Sequence, residues 1–101
     1  MAQGIARLGD TTTGHGCWPP RPGAQAAGAS AKVFANGIPV HCVGDPWPVH
    51  VCVSYPFPAH AGTVANGSGS VKVGGVAVAR MGDKIDCGDV ISVGSGNVFA
   101  G

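Results

Sequence analysis

A short unit occurs twice in the chain, and this repeat limits the possible folds more than any other feature. Residues 33–45 align without gaps on residues 71–83, and both units end in Gly-Asp. In each, two short apolar runs flank a pair, Asn-Gly at 36–37 or Gly-Gly at 74–75, that tolerates positive φ at both central positions of a type I′ turn. Each unit therefore predicts a β-hairpin, and the repetition predicts a compact body built from equivalent hairpins.

A third copy of the unit is divided between the chain ends. Its first strand corresponds to residues 98–101 and its second to residues 4–10, which again end in Gly-Asp. The termini would then meet where the third hairpin turn is expected. The sequence thus predicts an all-β fold: a single domain over residues 1–101, with three pseudo-symmetric β-hairpin repeats that form a compact cone without substantial helix.

The segments that lead into the hairpins repeat as well. Residues 67–71 match residues 94–98, and residues 28–33 are a looser relative that is one residue longer. No stretch has the apolar period of a helix. These matches support a three-fold arrangement of the hairpins around one axis.

Composition argues against several classes of function. Charged residues make up 11% of the chain and the formal net charge is +1, so we expect no surface for nucleic acid or for an anionic membrane. No run approaches the roughly 18 apolar residues that span a bilayer, and the N-terminus lacks the basic and apolar regions of a secretory signal. We expect synthesis in the cytoplasm without a signal peptide.

The loops after the Gly-Asp pairs carry most of the side chains that can bind a metal. His15, His50 and Cys87 follow their respective Gly-Asp pairs at nearly the same distance, so three-fold packing would bring them towards one axis. A closed structural zinc site needs a fourth ligand, and His60 precedes its next strand by the same distance as Cys87. These four residues are the predicted site of a structural zinc, with iron as an alternative metal.

Two His-x-Cys pairs leave other arrangements open. His15 with Cys17 and His50 with Cys52 share one spacing and could form a two-histidine, two-cysteine site. A disulfide between the two cysteines is a further alternative. Four cysteines in a chain made in the cytosol favour metal binding or free thiols over a disulfide framework.

The remaining polar residues favour structural roles. His41 lies on a strand where the other copies have alanine, and we interpret it as a histidine satisfied by its neighbours. Cys42 is interpreted as a small packed apolar residue. The few aspartates occur where turns need them, and neither a nucleophile motif nor a phosphate-binding loop is present. We therefore expect that the protein is not an enzyme.

Together these residues resemble the proline-alanine-alanine-arginine repeat (PAAR) family. The likeness rests on residues 77–80 and 5–7 before Gly-Asp, on residues 98–101, and on the pairs His-Gly at 15–16 and Cys-Gly at 87–88. The resemblance implies a conical protein whose base binds the blunt end of a trimeric β-helical spike, either VgrG of type VI secretion systems or a phage tail spike. It also implies a zinc ion near the apex, held by three histidines and one cysteine.

The resemblance further implies what such a protein does. It would cap and sharpen the spike for membrane puncture, would contact the target membrane only during puncture, and would have effector proteins as additional partners. It would be exported on the spike to the outside or into a target cell, or would belong to a phage virion. Since the chain stops at Gly101, a bare tip, or one that uses partners for cargo, is expected. The alternatives are a stand-alone zinc-binding module or a metallohydrolase.

Overall fold

The architecture is built from short β-strands. A computed structural model of the chain describes residues 2–23 and 32–101. The strands in this part are β1 (Gln3–Gly4), β2 (Phe34–Ala35), β3 (Ile38–Pro39), β4 (Pro46–Val51), β5 (Ala59–Thr63), β6 (Lys72–Val73), β7 (Val76–Ala77) and β8 (Phe99–Ala100). No α-helix occurs in these residues, and accordingly none that could cross a membrane. The all-β prediction is confirmed.

The three predicted hairpins are present. β2 pairs antiparallel with β3, and β6 with β7. The third hairpin joins the two ends of the chain, because β1 pairs antiparallel with β8 and places Gln3 opposite Ala100. In the first hairpin turn, Asn36 and Gly37 have φ values of 56° and 75°, as a type I′ turn requires.

The second strands of the hairpins close a ring. The backbone N–H of Ala6 donates to the carbonyl of Ala79 at 3.0 Å, and the N–H of Ala79 donates to the carbonyl of His41 at 2.8 Å. The N–H of His41 donates to the carbonyl of Ala6 at 3.0 Å, which completes the ring. Three isolated bridges follow the same cyclic relation: Ile5 with Arg80, Arg7 with Val40, and Cys42 with Val78. The ring therefore has pseudo-three-fold symmetry. The molecule measures 41 × 26 × 22 Å along its principal axes, and the conical outline stays a prediction.

Each Gly-Asp pair forms the same tight turn. The N–H of Asp10 donates to the carbonyl of Arg7 at 3.0 Å, and the N–H of Arg7 donates to the Asp10 carboxylate at 2.8 Å. Between them Gly9 has a φ of 88°, the value that a type II turn needs at its third position. Arg80 and Asp83 repeat both hydrogen bonds at 3.0 and 2.7 Å. These aspartates are turn formers, as the sequence indicated.

The segments before the hairpins are equivalent as well. Ser68 Oγ accepts hydrogen bonds from the backbone N–H groups of Ser70 and Val71 at 3.1 and 2.9 Å. Ser95 Oγ accepts those of the matching Asn97 and Val98 at 3.2 and 2.9 Å. The third segment, residues 28–33, falls largely outside the described residues.

Two apolar clusters lie on opposite faces of the ring. The cluster on the hairpin side contains Ile5, Ala35, Val40, Cys42, Val73, Val78 and Ala100. The cluster on the other side contains Ala6, Trp47, Val64, Ala79, Ile85 and Ile91. Successive residues of each ring strand point to different clusters because side chains alternate along a strand.

The first copy differs from the others in its buried polar groups. Cys42 replaces the arginine of the other turns and is buried, and burial together with Asp45 raises the pKa of its thiol to about 11. His41 is fully buried against Trp47, with ring centroids 4.7 Å apart. Burial lowers its pKa, although its Nδ1 faces Asp45 Oδ2 at 3.5 Å. Cys42 is packed as predicted, whereas His41 Nε2 has no hydrogen-bond partner among the described residues, contrary to the expectation that neighbours satisfy it.

The segment after Asp45 is a second departure from the sequence analysis. Like the other segments after Gly-Asp, it was expected to be a loop, but β4 and β5 pair antiparallel and form a hairpin of their own. The register shifts between Trp47 and His50. Prolines at 46 and 48 obscure the strand pattern, since proline is tolerated only where no ladder N–H is needed.

Candidate metal centre

The structure brings the four predicted ligands together. One side-chain atom from each of His15, His50, His60 and Cys87 lies within 4.8 Å of the others. His50 is buried and the other three are half-buried. A cluster of histidine and cysteine side chains that could bind a metal ion is therefore present. That these residues bind one stays a prediction.

The β4–β5 hairpin positions two of the histidines. His50 on β4 lies directly opposite His60 on β5, and directly opposed residues have Cβ atoms only about 5 Å apart. The two Nε2 atoms are 2.6 Å apart. At this distance both cannot carry a proton, so at least one nitrogen presents its lone pair to the other group or to a cation.

A tight turn supplies His15. Its N–H and carbonyl exchange hydrogen bonds with Trp18 at 3.0 and 2.8 Å, and Gly16 between them has a φ of 54°. The turn folds the Trp18 ring over the cluster, with centroid distances of 5.3 Å to His15 and 4.6 Å to His60. Trp18 therefore shields the histidines from solvent on this side.

Cys87 reaches the cluster from another tight turn. The N–H of Gly88 donates to the carbonyl of Ile85 at 3.0 Å, and Gly88 has a φ of 111°, which a residue with a side chain rarely adopts. The Cys87 sulfur lies 4.0 Å from His50 Nε2. It is one of two free cysteines among the described residues, the other being the remote Cys42.

Hydrogen bonds behind the cluster orient two of the rings. His50 Nδ1 donates to the Pro19 carbonyl at 3.0 Å, and His15 Nδ1 lies 3.3 Å from Asp89 Oδ1. Such partners hold a histidine in the tautomer that leaves Nε2 free for a metal. His15 Nε2 is buried without a hydrogen-bond partner among the described residues, so a metal ion would satisfy it.

Asp89 is a site residue that the sequence analysis missed. It was interpreted as a turn former, yet it is buried, with Oδ1 facing His15 and Oδ2 3.9 Å from His50 Nδ1. A carboxylate behind a metal-binding histidine is a recurrent arrangement in zinc proteins. No sequence motif around Asp89 distinguishes it from the other aspartates. Its place behind the histidines is therefore evident only from the fold.

The donor set fits a tetrahedral zinc ion. Imidazole nitrogen and cysteine sulfur are both common ligand atoms for zinc. In a tetrahedral site with metal–ligand bonds of about 2.0–2.3 Å, neighbouring ligand atoms would lie roughly 3.3–3.6 Å apart. The observed separations of 2.6 and 4.0 Å lie on either side of this range. Partial burial and the nearby His50 and His15 lower the pKa of His60, although Asp89 opposes this. The neutral, metal-binding form of His60 is thereby favoured.

The two-histidine, two-cysteine alternative is wrong. Cys17 and Cys52 form a disulfide, so neither offers a thiolate to a metal. The prediction that the cysteines bind metal or stay as free thiols is therefore wrong for this pair. The N–H of Val53 donates to the Cys17 carbonyl at 3.1 Å, which holds the His15 loop against the end of β4. The disulfide that the sequence left open as an alternative is the arrangement in the structure.

Comparison with known proteins adds one family match. The family model described as the PAAR motif matches residues 18–93, about three quarters of the chain. The matched part contains His50, His60 and Cys87, and His15 lies just before it. No curated protein matches the chain.

Proposed function

Because this chain belongs to the PAAR motif family, we propose that it caps the blunt end of a trimeric β-helical spike and sharpens it for membrane puncture. Proteins with this motif are structural components of spike tips, so the chain is not an enzyme. The spike would be VgrG of a type VI secretion system or a phage tail spike. In this proposal the protein is made in the cytoplasm, leaves on the spike, and carries effector proteins as additional partners.

The closed ring of three equivalent strands is the observation that carries this proposal. Its cyclic hydrogen bonds through Ala6, His41 and Ala79 repeat one relation three times. A monomer with pseudo-three-fold symmetry can present one equivalent surface to each subunit of a true trimer without a symmetry mismatch.

The hairpins offer a surface for such a contact. Phe34 on β2, Lys72 on β6 and Phe99 on β8 occupy equivalent positions, each pairing with the second strand of its hairpin. Both phenylalanine side chains are more than half exposed, so equivalent positions on two hairpins offer apolar surface for a protein contact. We place the spike-binding base on this side of the ring.

A structural zinc would stabilise the other side. His15 follows the split copy of the repeat, His50 and His60 follow the first complete copy, and Cys87 follows the second. An ion held by all four would therefore tie the loops of all three copies together. Zinc supplies a cross-link with a filled coordination shell and no position for a catalytic water. Under axial load such a cross-link keeps the loops from spreading apart.

Complex formation with a spike tests the proposal. When the protein is mixed with the C-terminal part of its cognate trimeric β-helical spike, native mass spectrometry should find one copy per trimer. Replacing Phe34 and Phe99 by aspartate should weaken the complex at least about tenfold, because two charges would be buried at the interface. Val53→Asp, which charges an exposed residue remote from the three repeat hairpins, is the control and should bind normally. A protein that stays monomeric beside the trimer would instead be a stand-alone zinc-binding module.

The carboxylate behind His15 provides a test of the metal centre. Asp89→Asn should weaken zinc binding about 10- to 100-fold, since outer-shell partners of metal-binding histidines have effects of this size. Competition with a chromophoric zinc chelator measures the change. Asp86→Asn is the matched control, because the Asp86 carboxylate accepts hydrogen bonds from Thr63 and not from a histidine. Equal affinities for Asp89→Asn and the parent protein would remove Asp89 from the site.

A further inference from the structure

The loop between β4 and β5 exposes apolar side chains that neither the ring nor the metal centre uses. Val53, Tyr55 and Phe57 are 71%, 87% and 55% exposed. The Tyr55 and Phe57 rings contact each other edge to face, with centroids 6.0 Å apart. We call residues 53–58 the apolar loop. Large exposed apolar side chains gathered in one loop indicate an interaction surface.

The apolar loop lies at the far end of a hairpin that projects from the ring. β4 and β5 start and finish at the ring, where the N–H of Val64 donates to the Asp45 carbonyl at 3.0 Å. They pass the metal cluster at His50 and His60. A strand of this length extends about 20 Å. The loop is therefore held beyond the cluster, on the side of the ring away from the proposed spike contact.

The whole projecting segment lacks formal charge. Residues 46–63, from the start of β4 to the end of β5, contain no aspartate, glutamate, lysine or arginine. Moving a charged group from water into an apolar medium is costly, and this segment avoids that cost. Tyrosine is also enriched at the boundary between lipid and water because its ring is apolar and its hydroxyl is polar.

Most backbone N–H groups of the apolar loop are paired within the protein. Of its four N–H groups, three donate within the protein: Val53 to Cys17 O at 3.1 Å, Ser54 to Cys52 Sγ at 3.4 Å, and Phe57 to Ser54 O at 2.7 Å. Residues 56 and 58 are prolines and have no N–H. In lipid, unpaired backbone groups are costly because no water is present to pair them. This pairing lowers the cost of moving the loop backbone into lipid.

Hydrogen bonds and a disulfide also fix the base of the apolar loop. The Pro58 carbonyl accepts both the N–H of Cys52 at 2.7 Å and Trp18 Nε1 at 3.1 Å. The disulfide joins Cys52 to Cys17 at the same point. The apolar side chains are therefore presented on a rigid support, so little conformational entropy is lost when they bind.

We propose that the apolar loop is a lipid-inserting surface, whose Val53, Tyr55 and Phe57 side chains enter the interfacial region of a neutral phospholipid bilayer. A bilayer suits this loop because its exposed side chains are apolar and it carries no charged residue. The inference rests on the proposed function only in taking this end of the molecule as the leading end. It adds to mechanical puncture an affinity for the target lipid.

Flotation of the metal-loaded protein with phosphatidylcholine vesicles tests this inference. The parent protein should float with the vesicles, and replacing Val53, Tyr55 and Phe57 together by serine should lower the bound fraction at least about tenfold. Binding should be insensitive to salt, since the loop has no charge. The control variant replaces Phe34 and Phe99, on the other side of the ring, by serine and should bind vesicles like the parent. Melting curves and metal content confirm that both variants fold.

Several results would overturn the inference. They are absence of vesicle binding by the parent protein, binding only to vesicles with anionic lipid, and equal loss in the loop variant and the control. Self-association through the loop without lipid would assign it to a second copy of the chain, and loop-dependent binding confined to an effector would assign it to that protein. Spike binding is measured separately, so the tip function can survive the failure of lipid binding, and the reverse also holds.

Discussion

Replacing Cys87 by alanine is expected to abolish stoichiometric zinc and to lower the melting temperature by more than about 10 °C. The change removes the ligand that ties the loop of the second complete copy to the two histidine-bearing segments. Structural zinc contributes on the order of 10 kcal/mol of apparent binding free energy in small modules. In a domain of this size, each kcal/mol lost corresponds to about 4–8 °C. Metal analysis after dialysis and calorimetric melting measure the two effects.

Cys42→Ala is the matched control for this experiment. Cys42 is the other free cysteine of the described residues and is buried in the apolar cluster on the hairpin side of the ring. Its replacement removes one small buried group, at a cost of about 1 kcal/mol, and should leave the zinc content unchanged. A chelator should lower the melting temperature of the parent and of Cys42→Ala but not of Cys87→Ala. Full zinc content in Cys87→Ala, or in His60→Ala, would refute the assignment of ligands.

Gly67→Ala is expected to destabilise the protein by about 3 kcal/mol, at the upper end of the cost of overpacking. A Cβ at Gly67 would lie 2.6 Å from the Val78 carbonyl oxygen. That oxygen belongs to a ring strand and accepts the N–H of Ser68 at 2.8 Å, so the clash can be relieved only by moving backbone. Chemical denaturation followed by circular dichroism measures the loss.

The neighbouring glycines provide the controls. A Cβ at Gly69 would meet no atom within 4 Å, so Gly69→Ala should be neutral or slightly stabilising. The next copy repeats the contrast, since a Cβ at Gly94 would lie 2.7 Å from the Gly4 carbonyl oxygen while Gly96 is open. Similar stabilities of Gly67→Ala and Gly69→Ala would show that the segments do not pack on the ring as closely as the structure indicates.

The hairpins could be predicted because their signals are local. A pair such as Asn36-Gly37 restricts the backbone of its own turn, and the recurrence of that turn before Gly-Asp identifies the copies. The β4–β5 hairpin was missed because prolines in its first strand and the register shift near His50 hide the alternation that identifies strands. The candidate ligands could be chosen because equivalent copies place equivalent loop positions near one axis.

The sequence by itself determined the three hairpins, the copy divided between the chain ends, and the four candidate ligands, because these follow from residue types within a few positions and from their repetition. Tertiary structure alone decided that Cys17 and Cys52 pair with each other, that Asp89 lies behind His15, and that His41 is buried against Trp47. The first two contacts depend on how loops from different copies pack across the axis, and the third on how the segment after Asp45 folds back over its own copy. Residue spacing along the chain does not specify such contacts.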